Sequence, residues 1–263
     1  MNTTPDILLK AGQVEEARQA LVAKVRKDPG DVLARVFLFQ LLAVQGQWRR
    51  ANEQLVVSCE LDPGNTLLAQ TYGVLTRAEL TRAAVFAGES LPTVIGEPAP
   101  WMAQLLQALK LSLAGETEAA TQLRSQALEL APAVAGKIDD ADFEWVADAD
   151  MRFGPCLEAV INSGYVWVPM SQLKEVRIDP PSDLRDMVWL PVELVWRHGG
   201  RTVGFIPVRY PGTESSQDGE LLLARRTDWN EVGEGEYTGL GQRMFTTDAG
   251  DYPLLDTRLI VFE

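Results

Sequence analysis

The residues best suited to chemistry lie in one short stretch, residues 143–158, with the sequence FEWVADADMRFGPCLE. Asp148 and Asp150 alternate with alanines, so an extended backbone would point both carboxylates to one side. Two carboxylates on one face could hold Mg²⁺ or Ca²⁺, or act together as an acid–base pair. A carboxylate-based, metal-dependent enzyme using Asp148 and Asp150 is therefore one function to weigh.

Arg152 favours a structural role for the same two acids. Its guanidinium would compete with a metal for the carboxylates, and an arginine at position 152 leaves the calcium-loop pattern incomplete. The acid–arginine theme returns in PPSDLRDMVW and ARRTDW. Arginine forms two-bond contacts with carboxylates, so we interpret these side chains as a structural ion-pair network. Its predicted members are Asp148, Asp150, Arg152, Asp183, Arg185, Asp186, Arg225, Arg226 and Asp228.

Other catalytic and metal-binding groups are scarce in this sequence. Nucleophilic catalysis with a Ser/His/Asp or Cys/His set needs a histidine, and the single histidine, His198, stands beside two glycines in a predicted turn. The two cysteines, Cys59 and Cys156, match no zinc spacing and are predicted to be unpaired thiols in a reducing compartment. The sequence therefore predicts no catalytic residue, no metal and no cofactor.

The charge of the chain points away from nucleic acid and membranes. The net charge is −13, and residues 137–263 contain 12 lysines and arginines against 23 aspartates and glutamates, a net charge of −11. Such a surface repels nucleic acid and anionic lipid. No apolar run approaches the ~20 residues of a membrane span, and the N-terminus does not resemble a secretory signal. We expect a cytoplasmic protein without a nucleic-acid or membrane partner.

The first half of the chain repeats with a period of 34 residues. The recurring positions are Gly12, Ala17 and Asp28–Gly30 in one copy, and Gly46, Ala51 and Asp62–Gly64 in the next. A weaker third copy contains Gly115, Ala120 and Pro132. This period is that of tetratricopeptide helical hairpins. The glycine would end the first helix or allow close packing, the alanine lets the second helix approach, and the proline stops it.

The repeat predicts a tetratricopeptide-like α-α superhelix over residues 1–136, interrupted by a break in the proline-rich segment 89–100. Such stacks present a concave surface that takes a peptide or a helix of another protein. We predict that its pockets are lined by Leu38, Leu42, Trp48 and Tyr72, although core packing is an alternative for Trp48.

The second half, residues 137–263, predicts a small, acidic, tryptophan-rich and mostly β domain with a barrel-like sheet. Its predicted strands are GYVWVPM (164–170), VWLPVELVWR (188–197), TVGFIPVRY (202–210) and LLDTRLIVFE (254–263). Three of these runs contain proline, which suggests edge strands or bulges. Short helices are expected at SDLRDM and around GPCLEAVIN. The fold class is thus α+β with two domains, 1–136 and 137–263.

Long ordered blocks of the second half resemble the ImpE family, also called TagJ, of bacterial type VI secretion accessory proteins. The blocks are FEWVADADMRFGPCLEAVINSGYVWVPM, PPSDLRDMVWLPVEL, IPVRYPGTE, LLLARRTDW and GLGQRMFTTDAGDYPLLDTRLI. The resemblance implies a non-enzymatic adaptor that binds the small sheath subunit TssB, which assembles with TssC, through the N-terminal helix of TssB. It also implies a link to the ATPase ClpV, which takes contracted sheath apart. The family supplies no catalytic residue to transfer.

Overall fold

The computed structural model describes residues 4–96, 99–233 and 235–263. Helices come first along the chain and strands follow. The helices of the first part are α1 (Pro5–Lys10), α2 (Val14–Lys27), α3 (Val32–Val44), α4 (Trp48–Leu61), α5 (Thr66–Phe86), α6 (Pro100–Leu113) and α7 (Thr117–Leu130). No helix within the described ranges is both long and apolar enough to cross a membrane.

The repeated glycines turn the chain between paired helices. Gly12, Gly46 and Gly115 join α1 to α2, α3 to α4 and α6 to α7, with φ of +72°, +65° and +80°. A side chain is strained in this left-handed region, which is why glycine recurs there. The alanine five residues after each glycine is fully buried. The hairpins predicted by the 34-residue period are present, and the superhelical arrangement stays a prediction. Glu97 and Pro98, inside the predicted break, lie outside the described residues.

Most of the second part is one large sheet. The elements are β1 (Thr93–Val94), β2 (Gly136–Ile138), β3 (Ala141–Phe143), β4 (Val146–Asp148), β5 (Cys156–Ile161), β6 (Gly164–Pro169), β7 (Leu173–Ile178), β8 (Trp189–Trp196), β9 (Arg201–Pro207), α8 (Gly219–Leu222), β10 (Thr227–Gly233), β11 (Glu236–Gly241), β12 (Met244–Thr247), β13 (Asp251–Pro253) and β14 (Leu259–Phe262). The large sheet has the order β1-β6-β5-β9-β8-β7-β14-β2-β3. A three-stranded sheet, β13-β12-β4, and the hairpin β10–β11 complete the β structure of the described chain.

Three sequence predictions about this part need correction. The barrel is not seen, because over the described residues the large sheet is open, with β1 and β3 at its edges. The helix expected around GPCLEAVIN is strand β5, whose six residues are all buried, so its sequence lacks the alternation of a half-exposed strand. Strand β8 is internal despite Pro191. The proline lies one residue beyond the ladder with β7, where its missing N–H breaks no bond of that ladder.

The helices pack directly on the large sheet. One hydrophobic cluster contains residues of α1 to α7 together with Trp167, Trp189 and Tyr210 of the second part. The buried residues of a second cluster all come from the second part, most of them from strands, and include Leu157 and Leu190. The proposed division at 136/137 falls inside β2, and the shared core means that each part buries apolar surface of the other.

Candidate functional site

The four residues predicted to line a partner groove are interior residues. Leu38, Leu42, Trp48 and Tyr72 are all buried, each less than 9% exposed. In this structure they are therefore core side chains, and this includes Trp48, for which core packing is the alternative prediction. A partner could reach them only if the covering part of the chain moved away.

Strand residues of the chain itself cover this helical face. The Trp189 ring lies 5.7 Å from the Trp48 ring and 5.9 Å from the Tyr72 ring, measured between centroids. The Phe205 ring lies 6.0 Å from the Tyr72 ring, measured between centroids. The guanidinium of Arg185 lies over the Tyr72 ring, 4.8 Å from its centroid. The sheet thus packs against Trp48 and Tyr72, two of the four side chains predicted to line a partner groove.

Asp148, at the end of β4, faces the interior and accepts hydrogen bonds from three groups. Its Oδ1 accepts from the hydroxyl of Tyr210 and from the backbone N–H of Asp150, both at 2.9 Å. Its Oδ2 pairs with Arg243, which is fully buried. Burial, with a smaller contribution from the Asp150 charge, raises the pKa of Asp148 to about 7, although Arg243 opposes the shift. In the structure the arginine partner of Asp148 is Arg243, which lies outside the predicted set of residues.

Asp150 does pair with Arg152. Its Oδ1 accepts from the backbone N–H and the Nε of Arg152, both at 2.9 Å. Its Oδ2 accepts from the backbone N–H of Gly239 in β11 at 2.8 Å, which ties the turn after β4 to the β10–β11 hairpin. The Arg152 guanidinium also lies 5.4 Å from the Phe86 ring of α5. This turn therefore contacts β11 through the Asp150 carboxylate and α5 through the Arg152 guanidinium.

A larger charged cluster lies beside this turn, between α5 and the sheet. We call it the buried ion-pair cluster: Glu79, Arg82, Asp148, Glu158 and Arg243. Glu158 of β5 accepts from Arg82 Nε and Nη2, both at 2.8 Å, and also from Arg243 and the Tyr165 hydroxyl. These bidentate contacts across 76 residues of sequence fix the position of α5 on the sheet.

Two further contacts extend the attachment. Glu79 accepts from the indole Nε1 of Trp189 at 2.9 Å. Arg209 donates to the carbonyl oxygens of Val44 and Ala43 at the end of α3, and to that of Leu222 at 2.8 Å. Burial lowers the pKa of Arg209 to about 10, which still leaves it charged at neutral pH. Both contacts satisfy polar groups that would otherwise be costly to bury.

The carboxyl groups of the cluster have shifted pKa values. Burial alone would raise the pKa of Glu158, but the Arg82 and Arg243 charges outweigh it and lower the pKa to about 2. Burial raises the pKa of Glu79, which has the weaker contact with Arg82, at 3.5 Å. The cluster therefore holds Glu158 firmly as a carboxylate.

The other predicted ion-pair residues form small groups outside this cluster, and all of them are partly exposed except Asp186, which is buried. Arg185 and Asp183 are 3.3 Å apart, whereas Asp186 caps the short helical turn by accepting from the backbone N–H groups of Ser182 and Asp183. In the other stretch, Arg226 pairs with Asp218 and with Asp228, and Arg225 pairs with Glu220. Arg225 also donates to the Leu9 carbonyl at 2.8 Å. The structure thus contains several separate pairs and not one network.

Sequence reasoning missed Glu79, Arg82, Glu158, Arg209 and Arg243. A signal existed for Glu158, since a charged residue inside the apolar run CLEAVI must find a partner if the run is buried. The partners themselves lie too far along the chain to be matched by pattern. Throughout the described ranges, no group of three or more His, Cys, Asp or Glu is placed to hold a metal. Because N–H and O–H donors occupy the oxygens of Asp148 and Asp150, a cation would have to displace them.

The chain resembles proteins of bacterial type VI secretion. The model of the ImpE protein family matches residues 140–261. The type VI secretion system accessory component TagJ of Pseudomonas aeruginosa is 48% identical over 256 residues, which cover 97% of this chain and 90% of that protein. A crystal structure of a Vibrio parahaemolyticus protein has a TM-score of 0.90 at 26% identity and covers 98% of this chain and 97% of its own.

Proposed function

Because the chain belongs to the ImpE family, as its second-half sequence blocks predict, we propose that it is an accessory component of a type VI secretion system. Its role would be to bind other proteins and not to catalyse a reaction. The observation that carries this proposal is the near full-length similarity to a protein named as such a component. The interior position of the charged side chains supports the non-enzymatic part, because their hydrogen bonds serve to join helices to sheet.

We propose the small sheath subunit TssB as the direct partner, bound through its N-terminal helix. TssC would be met in the assembled sheath, and the ATPase ClpV would be linked through the same contact. This partner choice rests on the family resemblance. Helical hairpins support it in a general way, since stacked helices commonly receive a helix of another protein.

Because Trp48 and Tyr72 are covered by the chain's own aromatic side chains, we look for the docking surface among exposed residues. Leu33 and Leu67, second residues of α3 and α5, are 81% and 74% exposed and occupy equivalent positions of the 34-residue repeat. We call these two residues the apolar edge. Leucines this exposed at matching positions of neighbouring repeats suit the apolar stripe of a partner helix.

An acidic groove offers a different surface. It lies between the first two helical hairpins and the 214–217 loop, has a volume of about 480 Å³, and is lined by Glu15, Glu16, Glu214 and the amides of Gln45 and Gln47. Carboxylates in such a groove would attract a basic segment, and that attraction would weaken as salt rises. We favour the apolar edge, because a helix needs apolar anchors and this groove is mainly polar.

A pull-down with full-length TssB and with TssB lacking its N-terminal helix tests the partner. Loss of binding with the truncated subunit is expected, and undiminished binding would refute the proposal. The surface is tested with the double substitution Leu33→Ser, Leu67→Ser, which should weaken binding at least about tenfold. The matched control is Glu16→Lys with Glu214→Lys in the acidic groove. If only the control variant loses binding, and if binding fades with salt, the acidic groove is the docking surface.

A further inference from the structure

An open cavity of about 240 Å³ lies between the α6–α7 hairpin and the β10–β11 hairpin. Its wall is mainly apolar and includes Phe86, Leu109, Leu113 and Tyr237. Leu113 and Tyr237 are each 43% exposed, so the cavity opens to the surface between apolar side chains. The cavity shares no lining residue with the apolar edge or the acidic groove, and the proposed function does not use it.

One charged side chain of the lining, Arg152, is partly open to solvent, with 16% of the side chain exposed. Asp150 accepts hydrogen bonds from its Nε and from its Nη2. Nη1 has no acceptor within the described ranges, and it is not one of the buried atoms that solvent cannot reach. A guanidinium carries five N–H groups, so the edge formed by Nη1 and Nη2 keeps donors free. This edge is the part of Arg152 that a molecule in the cavity can reach.

Arg152 is held in place without any ligand. Its guanidinium lies 5.4 Å from the centroid of the Phe86 ring and 5.8 Å from that of the Phe153 ring. Asp150, which is fully buried, fixes the Nε side. The same carboxylate also accepts from the backbone N–H of Gly239, so Arg152 is not its only partner. A side chain that is already ordered loses little freedom on binding, which favours affinity.

The free edge of Arg152 suits a carboxylate, because two parallel N–H groups match the two oxygens of that group. An organic cation would be repelled by the guanidinium. A doubly charged phosphate brings more charge than a guanidinium that Asp150 already shares can balance. Arg124 and Glu236 also line the cavity, but they pair with each other and are each only 3% exposed, so they add no net charge. The apolar wall suits an apolar body attached to the carboxylate.

We propose that this cavity is a binding site for a small monocarboxylic acid with an apolar body. The carboxylate pairs with Nη1 and Nη2 of Arg152, and the apolar body lies against Phe86 and Leu109. The cavity is smaller than the roughly 300–1,000 Å³ of pockets for drug-sized ligands, so the acid is of fragment size. This inference goes beyond the proposed function and does not rest on it.

Three compounds of matched shape and different charge test the chemistry: phenylacetate, phenylacetamide and phenylacetamidine. Ligand-detected NMR titration of the full-length protein at pH 7 should give phenylacetate a dissociation constant of about 1 mM, as expected for a ligand of this size. The neutral amide and the cationic amidine should both bind at least about tenfold more weakly, because neither offers a charged acceptor to Arg152. No binding of phenylacetate, or binding of either other compound as tight as that of phenylacetate, would overturn the proposal.

The variant Arg152→Lys tests whether the arginine edge receives the acid. Lysine keeps the charge but lacks the two-bond edge, so phenylacetate should bind at least about tenfold more weakly. The matched control is Arg185→Lys. Arg185 also pairs with an aspartate two residues earlier and lies over an aromatic ring, that of Tyr72, but it does not line the cavity. Unchanged phenylacetate binding in Arg152→Lys would show that this edge is not the site.

A surface variant tests the same cavity without touching Arg152, and it decides the question even if Arg152→Lys is unstable. Thr117, the exposed first residue of α7, lines the cavity, so Thr117→Phe should obstruct it and weaken phenylacetate binding at least about tenfold. Ala119→Phe is the control, because Ala119 is exposed on the same helix and does not line the cavity. Equal binding by the two variants would place the acid elsewhere and refute the assignment.

Discussion

Replacing Glu158 by glutamine tests whether the buried ion-pair cluster holds the helices on the sheet. Glutamine keeps the shape of the side chain but removes its charge and turns an NH₂ donor towards groups that can only donate. Arg82 and Arg243, both buried, would then lose their shared counter-charge. Removing one partner of a buried ion pair costs about 3–5 kcal/mol of folding free energy. We therefore expect Glu158→Gln to unfold at clearly lower urea concentration at pH 7.

The pH dependence of stability gives a second, independent value for what Glu158 contributes to the free energy of unfolding. The pKa of Glu158 is about 2 in the folded protein and 4.5 for an unperturbed glutamate. Its contribution is therefore present above pH 4.5 and is lost as the pH falls towards 2, about 3 kcal/mol in all. The glutamine variant lacks this titration, so the stability difference between the two proteins should shrink over that window. Asp148, whose folded pKa is raised, favours folding as the pH falls below 7, but it is present in both proteins.

Urea unfolding followed by tryptophan fluorescence provides the assay, because Trp167 and Trp189 are fully buried beside the cluster. The matched control is Glu193→Gln. Glu193 is also a strand glutamate that pairs with arginines, at 3.4 and 3.7 Å, but it is 29% exposed. The control should lose less than about 1 kcal/mol. If Glu158→Gln is as stable as the control, or if its stability difference from wild type is the same at pH 3 and pH 7, the reasoning is wrong.

Three further substitutions test other parts of the structure. Asp150→Ala should lower the free energy of unfolding by about 2–4 kcal/mol, because it leaves buried donors unpaired. Partner affinity per folded molecule should stay unchanged. Thermal melts and binding titrations measure the two quantities. Gly239→Ala places a methyl group 2.1 Å from the Tyr210 ring and should lower the free energy of unfolding in urea by at least about 3 kcal/mol. In the control, Gly164→Ala, the nearest atom lies 3.8 Å from the new methyl group, and the loss should be under about 1 kcal/mol. Arg225→Ala removes the donors to the last carbonyls of the first helix, so hydrogen exchange should accelerate there and not in the later helices.

Local features of the fold could be predicted from the sequence. Gly12, Gly46 and Gly115 all turn between helices, because a helix end and its left-handed residue depend on a few neighbours in the chain. His198 lies in the turn between β8 and β9, as its two following glycines predict. The ImpE blocks likewise identify the family, since they are contiguous runs of sequence.

The strand identity of β5 and the covering of the helical face depend on distant contacts. The mostly apolar run Cys156–Ile161 is compatible with a buried helix or a buried strand. Its pairing with β6 and β9 makes it a strand. The sequence by itself determined that stacked helices would carry an apolar face centred on residues such as Leu42 and Tyr72. The tertiary structure alone decided what covers that face. Ion pairs hold the sheet against the helices. Glu158 lies 76 residues from Arg82 and 85 residues from Arg243 along the chain, and no local sequence pattern encodes contacts at such separations.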